Sequence, residues 1–166
     1  MKYLLFLGLP LFVLDQLTKW LVRQNVPYGA EIPIIPGFFS LVHASNTGAA
    51  FSMFTGNNIF FVGLAIAALV VIMFLLIRDP KRRPPHQPLT NITKISFGLL
   101  ASGIPGNLTD RVLRGAVTDF LHFYIHQYAW PSFNVADSCI CIAAGLLILA
   151  SFQRQDAGGA RGGVKK

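Results

Sequence analysis

Acidic side chains are scarce in this sequence: seven Asp and Glu stand against fourteen Lys and Arg. Charge of either sign is sparse, with 13% charged against 53% hydrophobic residues and a mean hydropathy of +0.54. That balance excludes an ordinary soluble domain. Cysteine is nearly absent. Cys139 and Cys141 are two residues apart in an apolar run, and positions i and i+2 do not face each other on a helix. A disulfide between them is therefore not expected, and both read as small lipid- or bundle-facing residues.

Other absences narrow the chemistry. His122 and His126 are spaced i, i+4 but lack the Glu of a His-Glu-x-x-His zinc motif. Ser102 precedes Gly103 without the Gly-x-Ser-x-Gly elbow of a serine hydrolase. There is no glycine-rich phosphate loop, so neither a metal nor a cofactor is expected. The stretch from Gln24 to Asn57 holds no Lys or Arg at all, whereas basic residues gather at Lys2, at Arg78–Arg83, at Lys94 and in the tail. The high isoelectric point of about 9.9 thus reads as a topology signal and not as a nucleic-acid footprint. The positive-inside rule puts both termini and the 78–91 loop in the cytoplasm, with 23–57 and 114–134 outside.

Four apolar stretches, 3–22, 58–77, 92–113 and 135–152, are each close to the roughly 20 residues that cross a bilayer as a helix. Lipid offers no hydrogen bonds to the backbone, so helices are the expected form. The first stretch resembles a secretory signal, but Asp15 and Lys19 stand where a small-residue cleavage site would be, so a retained helix is expected. The expected fold is an all-α membrane protein: one domain over 1–152 with four transmembrane helices, then a disordered basic tail over 153–166. Between the first two helices, Glu31–Ile35 and Phe38–His43 read as short strands bounded by Pro36-Gly37, and Asn46-Thr47-Gly48 as a turn. The aromatics of Gly115–Pro131 suit a membrane–water interface. Gly98, Gly103, Pro105 and Gly106 suit close packing and a kink in the third helix.

What is present, against this apolar background, is a set of aspartates where aspartates are costly. Asp15, Asp110, Asp119 and Asp137 lie inside or against the apolar runs, and an ionisable group at membrane depth marks a functional candidate. With the amino terminus inside, Asp15 and Lys19 share a face in the outer half of the first helix. Asn107, Asp110 and Arg111 fall near the outer end of the third helix, Asn134 and Asp137 at the outer mouth of the fourth, and Asn46 and Asp119 in the outer loops. Polar groups from distant parts of the chain thus reach one depth.

Asp119 and Asp137 are the candidate catalytic pair. Two close carboxyls resist joint ionisation, so near neutral pH one holds a proton while the other accepts one from an attacking water. Plainer readings stand beside this one. Asp15–Lys19 reads equally as an intrahelical ion pair, Asp137 as a helix-start residue favoured by the macrodipole, and Asn134 as its cap. The rivals from other classes are a proton-coupled transporter, which predicts ionisable groups along a path through the inner half, and a non-catalytic assembly factor glued by polar residues.

Five motifs in order, Asp15-Gln16-x-x-Lys19, Asn46-Thr47-Gly48-Ala49-Ala50-Phe51, Gly106-Asn107-Leu108-x-Asp110-Arg111, Val117-x-Asp119-Phe120 and Phe133-Asn134-x-Ala136-Asp137-Ser138, resemble bacterial lipoprotein signal peptidase, the type II signal peptidase. The resemblance spans nearly the whole chain apart from the tail. It implies an aspartyl endopeptidase of the bacterial inner membrane that removes the signal peptide of prolipoproteins just before a diacylglyceryl-modified cysteine. The family's catalytic dyad falls on Asp119 and Asp137, and its substrate-binding or site-supporting positions on Asp15, Lys19, Asn46, Asn107, Arg111 and Asn134. It also implies an active site at the outer leaflet, a small extracytoplasmic β-cradle with a short interfacial helix or loop, contact with membrane lipids, and inhibition by globomycin-type peptides. Ser102-Gly103-Ile104-Pro105 departs from the proline-free run that is commoner in the family.

Overall fold

A computed structural model describes residues 2–48, 56–77 and 90–162. The chain starts with a π-helical turn, Leu4–Gly8, that runs into α1 (Leu9–Asn25). Strands β1 (Glu31–Ile35) and β2 (Phe39–Asn46) follow, then α2 (Asn58–Ile77) and α3 (Asn91–Arg114). Strands β3 (Val117–Ile125) and β4 (Tyr128–Ala129) lead into α4 (Val135–Gly162). The strands form one antiparallel sheet in the order β1-β2-β3-β4.

Three helical segments, Leu4–Asn25, Asn58–Ile77 and Val135–Gln153, are long and apolar enough to cross a membrane. α2 is apolar on every side and buries only Ile72, while Ile59, Val70 and Ile77 are largely exposed. Such a surface belongs against lipid. α3 differs. It lies at the centre, packed by α1, α2, α4 and the amino-terminal turn, and it buries Thr93, Ser96, Ser102, Asp110 and Arg111. Its polar atoms are satisfied inside the bundle: Ser96 Oγ donates to Ile92 O at 2.9 Å and Thr109 Oγ1 to Pro105 O at 2.8 Å. Because α3 is covered by neighbours, it tolerates a polarity that keeps it outside the apolar class of the other three.

Two sequence expectations change. The 114–134 segment is no aromatic loop: β3 extends β2, and the register Asn46↔Val117 to Phe39↔Phe123 puts Asp119 on a strand. The β-branched and aromatic residues of Val117–Ile125 favour this pairing, which a hydropathy reading cannot see because the partner strand lies far away in sequence. No short interfacial helix occurs among the described residues. The stretch 153–162, expected to be disordered, is helical, since extending a nucleated, proline-free helix costs far less than starting one. The basic loop at 78–89 and the Ala49–Phe51 part of the second motif lie outside the described residues.

Small residues let α3 and α4 meet closely. A Cβ at Gly103 would sit 2.5 Å from Ala136 O and 2.7 Å from Ile140 Cγ1, and one at Gly106 would sit 2.7 Å from Asp15 Oδ2. A backbone carbonyl cannot step aside as a flexible side chain can. Gly103→Ala should therefore lose about 1–3 kcal/mol of stability through overpacking. Gly145, with nothing within 4 Å of its Cβ position, should accept alanine with no loss or a small gain. Thermal unfolding of both variants in detergent checks the contrast.

Candidate active site

Asp119 enters the site from the sheet and Asp137 from the first turn of α4. Both are held by asparagine amides. Asn46, the last residue of β2, donates from Nδ2 to Asp119 Oδ2 at 2.9 Å, while its Oδ1 accepts the Gly48 N–H at 2.9 Å. A backbone N–H can only donate, so the amide oxygen is committed to Gly48 and the NH2 must face the carboxyl.

Asn134 repeats the device at the start of α4. Its Oδ1 accepts the Asp137 N–H at 3.0 Å, and Asp137 Oδ2 accepts the Asn134 N–H at 3.3 Å, a reciprocal capping box. Nδ2 is left to donate to Asp119 Oδ1 at 2.7 Å and to Thr118 O at 3.3 Å. The capping role and the place in the site hold together, because one side chain joins both aspartates.

Asn107 supplies the third amide from α3. Its Oδ1 accepts from Lys19 Nζ at 2.9 Å and its Nδ2 donates to Asp137 Oδ1 at 2.7 Å. The ammonium, with no acceptor capacity, fixes this amide as well. Lys19 is itself fully buried, 2.9 Å from Asp15 Oδ2 and 3.4 Å from Asp110 Oδ2. Asp15 in turn accepts the Ala136 N–H at 2.8 Å, and Gln16 Nε2 reaches Asp15 Oδ2 and Gly106 O at 3.0 Å each. Asp110 Oδ2 accepts the Thr118 N–H at 3.2 Å, anchoring β3 one residue before Asp119. Arg23 and Arg114 face Asp110 Oδ1 at 3.5 and 3.2 Å. A buried ion left alone costs several kcal/mol. Here the charges are paired, and among the described residues no buried side-chain nitrogen or oxygen lacks a partner.

Arg111 stands apart from the carboxyls. Its Nη2 donates to Gly48 O at 2.7 Å and its Nη1 to Asn58 Oδ1 at 3.4 Å, and the guanidinium lies 4.4 Å from the centre of the Phe61 ring. It braces the chain after β2 against the start of α2. Thus Asn46 holds Asp119, Asn107 holds Asp137, and Asn134 joins the two. Lys19 acts through Asn107 and is supported by Asp15, and Arg111 acts through Gly48 on the Asn46 turn.

Sequence reasoning missed Arg23, Arg114 and Thr118, quoted Gln16 in a motif without giving it a role, and gave Asp110 only a general supporting place. Arg23 was open to discovery: Asp15, Lys19 and Arg23 repeat at i, i+4 on one face of α1. Thr118 carries no such signal until the pairing of β2 with β3 is known.

Burial pushes the Asp119 carboxyl up to about 7 from the usual 3.8, the nearby Asp137 charge adds to the rise, and the Asn46 and Asn134 hydrogen bonds and the Lys19 charge oppose it. A carboxyl proton is thus available near neutral pH beside a second carboxyl, the requirement of acid–base hydrolysis by an aspartate pair.

These features define a membrane protein of the aspartic peptidase class. The family model described as Signal peptidase (SPase) II matches residues 7–153, and the chain belongs to that family. Its relatives include the lipoprotein signal peptidases of Symbiobacterium thermophilum, 45% identical over 82% of this chain and 86% of that one, and of Nitratidesulfovibrio vulgaris, 38% identical over 93% of both. A bacterial membrane enzyme solved by the in meso method at 2.3 Å resolution superposes with a TM-score of 0.83 at 28% identity, covering 93% of this chain and 90% of the other. A second, solved by the same method at 1.9 Å, superposes with a TM-score of 0.75 at 29% identity over 90% and 92% of the two chains.

The raised Asp119 carboxyl ties stability to pH. Between the usual value of 3.8 and about 7 the folded state binds more protons here than the unfolded chain. The stabilisation from this proton is therefore complete below the lower value and is lost as pH rises to the upper one. Asp119→Asn should remove that part of the dependence and raise stability above pH 7 relative to the native chain, as thermal unfolding across a pH series would read.

Proposed function

We propose that this protein is an intramembrane aspartyl endopeptidase that cleaves diacylglyceryl-modified prolipoproteins just before the lipidated cysteine. The observation that carries the reading is the Asn134 bridge: one side chain accepts from the backbone of Asp137 and donates to the carboxyl of Asp119. The prolipoprotein substrate is supported by the family and by the names of the relatives.

In the proposed reaction, Asp119 and Asp137 activate one water. Asp137 lies at the amino-terminal end of α4, where the helix dipole favours an anion, and accepts from Asn107 Nδ2 and the Asn134 N–H. One carboxyl of the pair, ionised, takes a proton from the water as the oxygen attacks the scissile carbonyl. The other, protonated, hydrogen-bonds the carbonyl oxygen as charge develops there, a role that the Asp119 carboxyl, pushed up to about 7, is suited to fill. Collapse of the tetrahedral intermediate breaks the C–N bond, and the proton taken from water passes to the departing nitrogen. Asp15, Lys19, Asn46, Asn107 and Asn134 hold the pair in place, and Arg111 positions the Asn46 turn.

The proposed setting is the bacterial inner membrane. α3 serves as a fourth span: its 24 residues exceed the bilayer requirement of roughly 20, and its polar side chains face other helices. Both termini lie in the cytoplasm by the distribution of Lys and Arg, so the outer ends of α1 and α3 and the start of α4 bring the site to the outer leaflet. The sheet forms the extracytoplasmic cradle. A lipid-anchored substrate would reach this depth laterally, with water arriving from outside, and globomycin-type cyclic peptides would compete for the same place.

Purified protein in detergent, given a diacylglyceryl-modified prolipoprotein, tests the reading. Asp119→Asn and Asp137→Asn should each lower the cleavage rate by at least about a hundredfold, the scale of a lost acid–base group, while remaining folded. Near-normal cleavage by both folded variants would refute the dyad.

A further inference from the structure

The opposite end of the bundle carries a second polar feature. A cavity of about 340 Å³ lies between the amino-terminal turn, the last turn of α2 and the first turn of α3. That volume falls within the roughly 300–1,000 Å³ of small-molecule sites. Lys2 and Lys94 line it together with Tyr3 and Asn91, and Leu4, Leu76 and Phe97 form its apolar side. Among the described residues, none that lines it is an Asp or Glu.

The local fold builds this placement. The amino-terminal turn is pressed onto α3, where a Cβ at Gly98 would come within 2.9 Å of Tyr3 O and one at Gly8 within 2.9 Å of Gly98 O. That contact carries Lys2 to the cavity lined by Lys94. Asn91 is the first residue of α3, whose first turn contains no acid, so the positive end of the helix dipole adds to the two ammonium groups. Lys94 lies about 20 Å along α3 from Asn107, well away from the aspartates.

We propose that this cavity binds the headgroup of an anionic glycerophospholipid. The phosphate sits with Lys2 and Lys94, the glycerol hydroxyls meet Asn91 and Tyr3, and an acyl chain runs along Leu4, Leu76 and Phe97. A basic pocket between membrane helices on the cytoplasmic side is the expected form of such a site. The mixture of charge and apolar wall favours a lipid over a free anion, which would have no use for the wall. The leaflet rests on the orientation proposed above; the chemistry of the pocket does not.

The test uses the full-length protein reconstituted in vesicles of phosphatidylcholine with an equal amount of phosphatidylglycerol, then extracted for native mass spectrometry. Wild type should retain phosphatidylglycerol in preference to phosphatidylcholine. Lys2→Gln with Lys94→Gln should weaken that preference by roughly thirtyfold, about fivefold for each lysine. Lys165→Gln with Lys166→Gln, an equal loss of charge in the tail, should leave it unchanged. Leu76→Trp fills the cavity at constant charge and should also lower retention, which keeps the test open if the lysine variant does not fold. Unchanged selectivity in the lysine variant, or release of the lipid by inorganic phosphate, would overturn the proposal. Cleavage by the same preparations is a separate readout: loss of lipid selectivity with normal cleavage supports the pocket, whereas absent cleavage with intact selectivity counts only against the peptidase reading.

Discussion

The buried ammonium of Lys19 is the interaction on which the arrangement depends. It lies between Asp15 of its own helix and Asp110 of α3, fully withdrawn from solvent. Two carboxylates and one ammonium in an apolar bundle are tolerable only because each has partners, and removal of Lys19 would leave two buried carboxylates without the ammonium they share, a change that costs several kcal/mol. Asp15 extends the contact to the first turn of α4 through the Ala136 N–H, and Asp110 extends it to β3 through the Thr118 N–H. One charge cluster therefore fixes three helices and a strand relative to one another.

From that cluster the orientation of polar groups passes outward through amides. An asparagine side chain has a donor end and an acceptor end that a turn of the amide would exchange. Lys19 decides the question for Asn107, the Asp137 N–H for Asn134, and the Gly48 N–H for Asn46. In each case an obligate donor takes the oxygen, and the NH2 is aimed at Asp119 or Asp137. Three such hydrogen bonds (Asn107 to Asp137, Asn134 and Asn46 to Asp119), with a fourth from the Asn134 backbone N–H to Asp137, preorganise the pair. Preorganised dipoles in a dry site need no rearrangement when charge develops, which is where their value for catalysis lies.

The mostly helical build and the gathering of Asp15, Lys19, Asn107, Asn134 and Asp137 were legible because helical periodicity and hydropathy are local signals. β1 at Glu31–Ile35 was legible for the same reason, being bounded by proline and glycine. Asp119 was found as a residue but misplaced in a loop, because β3 is defined by its partner β2, and the pairing joins residues more than seventy positions apart in the sequence. Arg23 was overlooked although it continues the Asp15–Lys19 face. The central position of α3 was hidden too: a helix shielded by its neighbours keeps polar residues that hydropathy counts against it.

The most direct test is the cleavage rate of Asn107→Asp, a nearly isosteric change. The oxygen facing Lys19 is kept, while the donor facing Asp137 becomes an acceptor. If oriented amides hold the carboxyl pair for reaction, the folded variant should cleave a lipid-modified prolipoprotein about a hundredfold or more slowly at neutral pH, the scale of losing one preorganised donor. A folded Asn107→Asp protein that cleaves at close to the native rate would contradict the account.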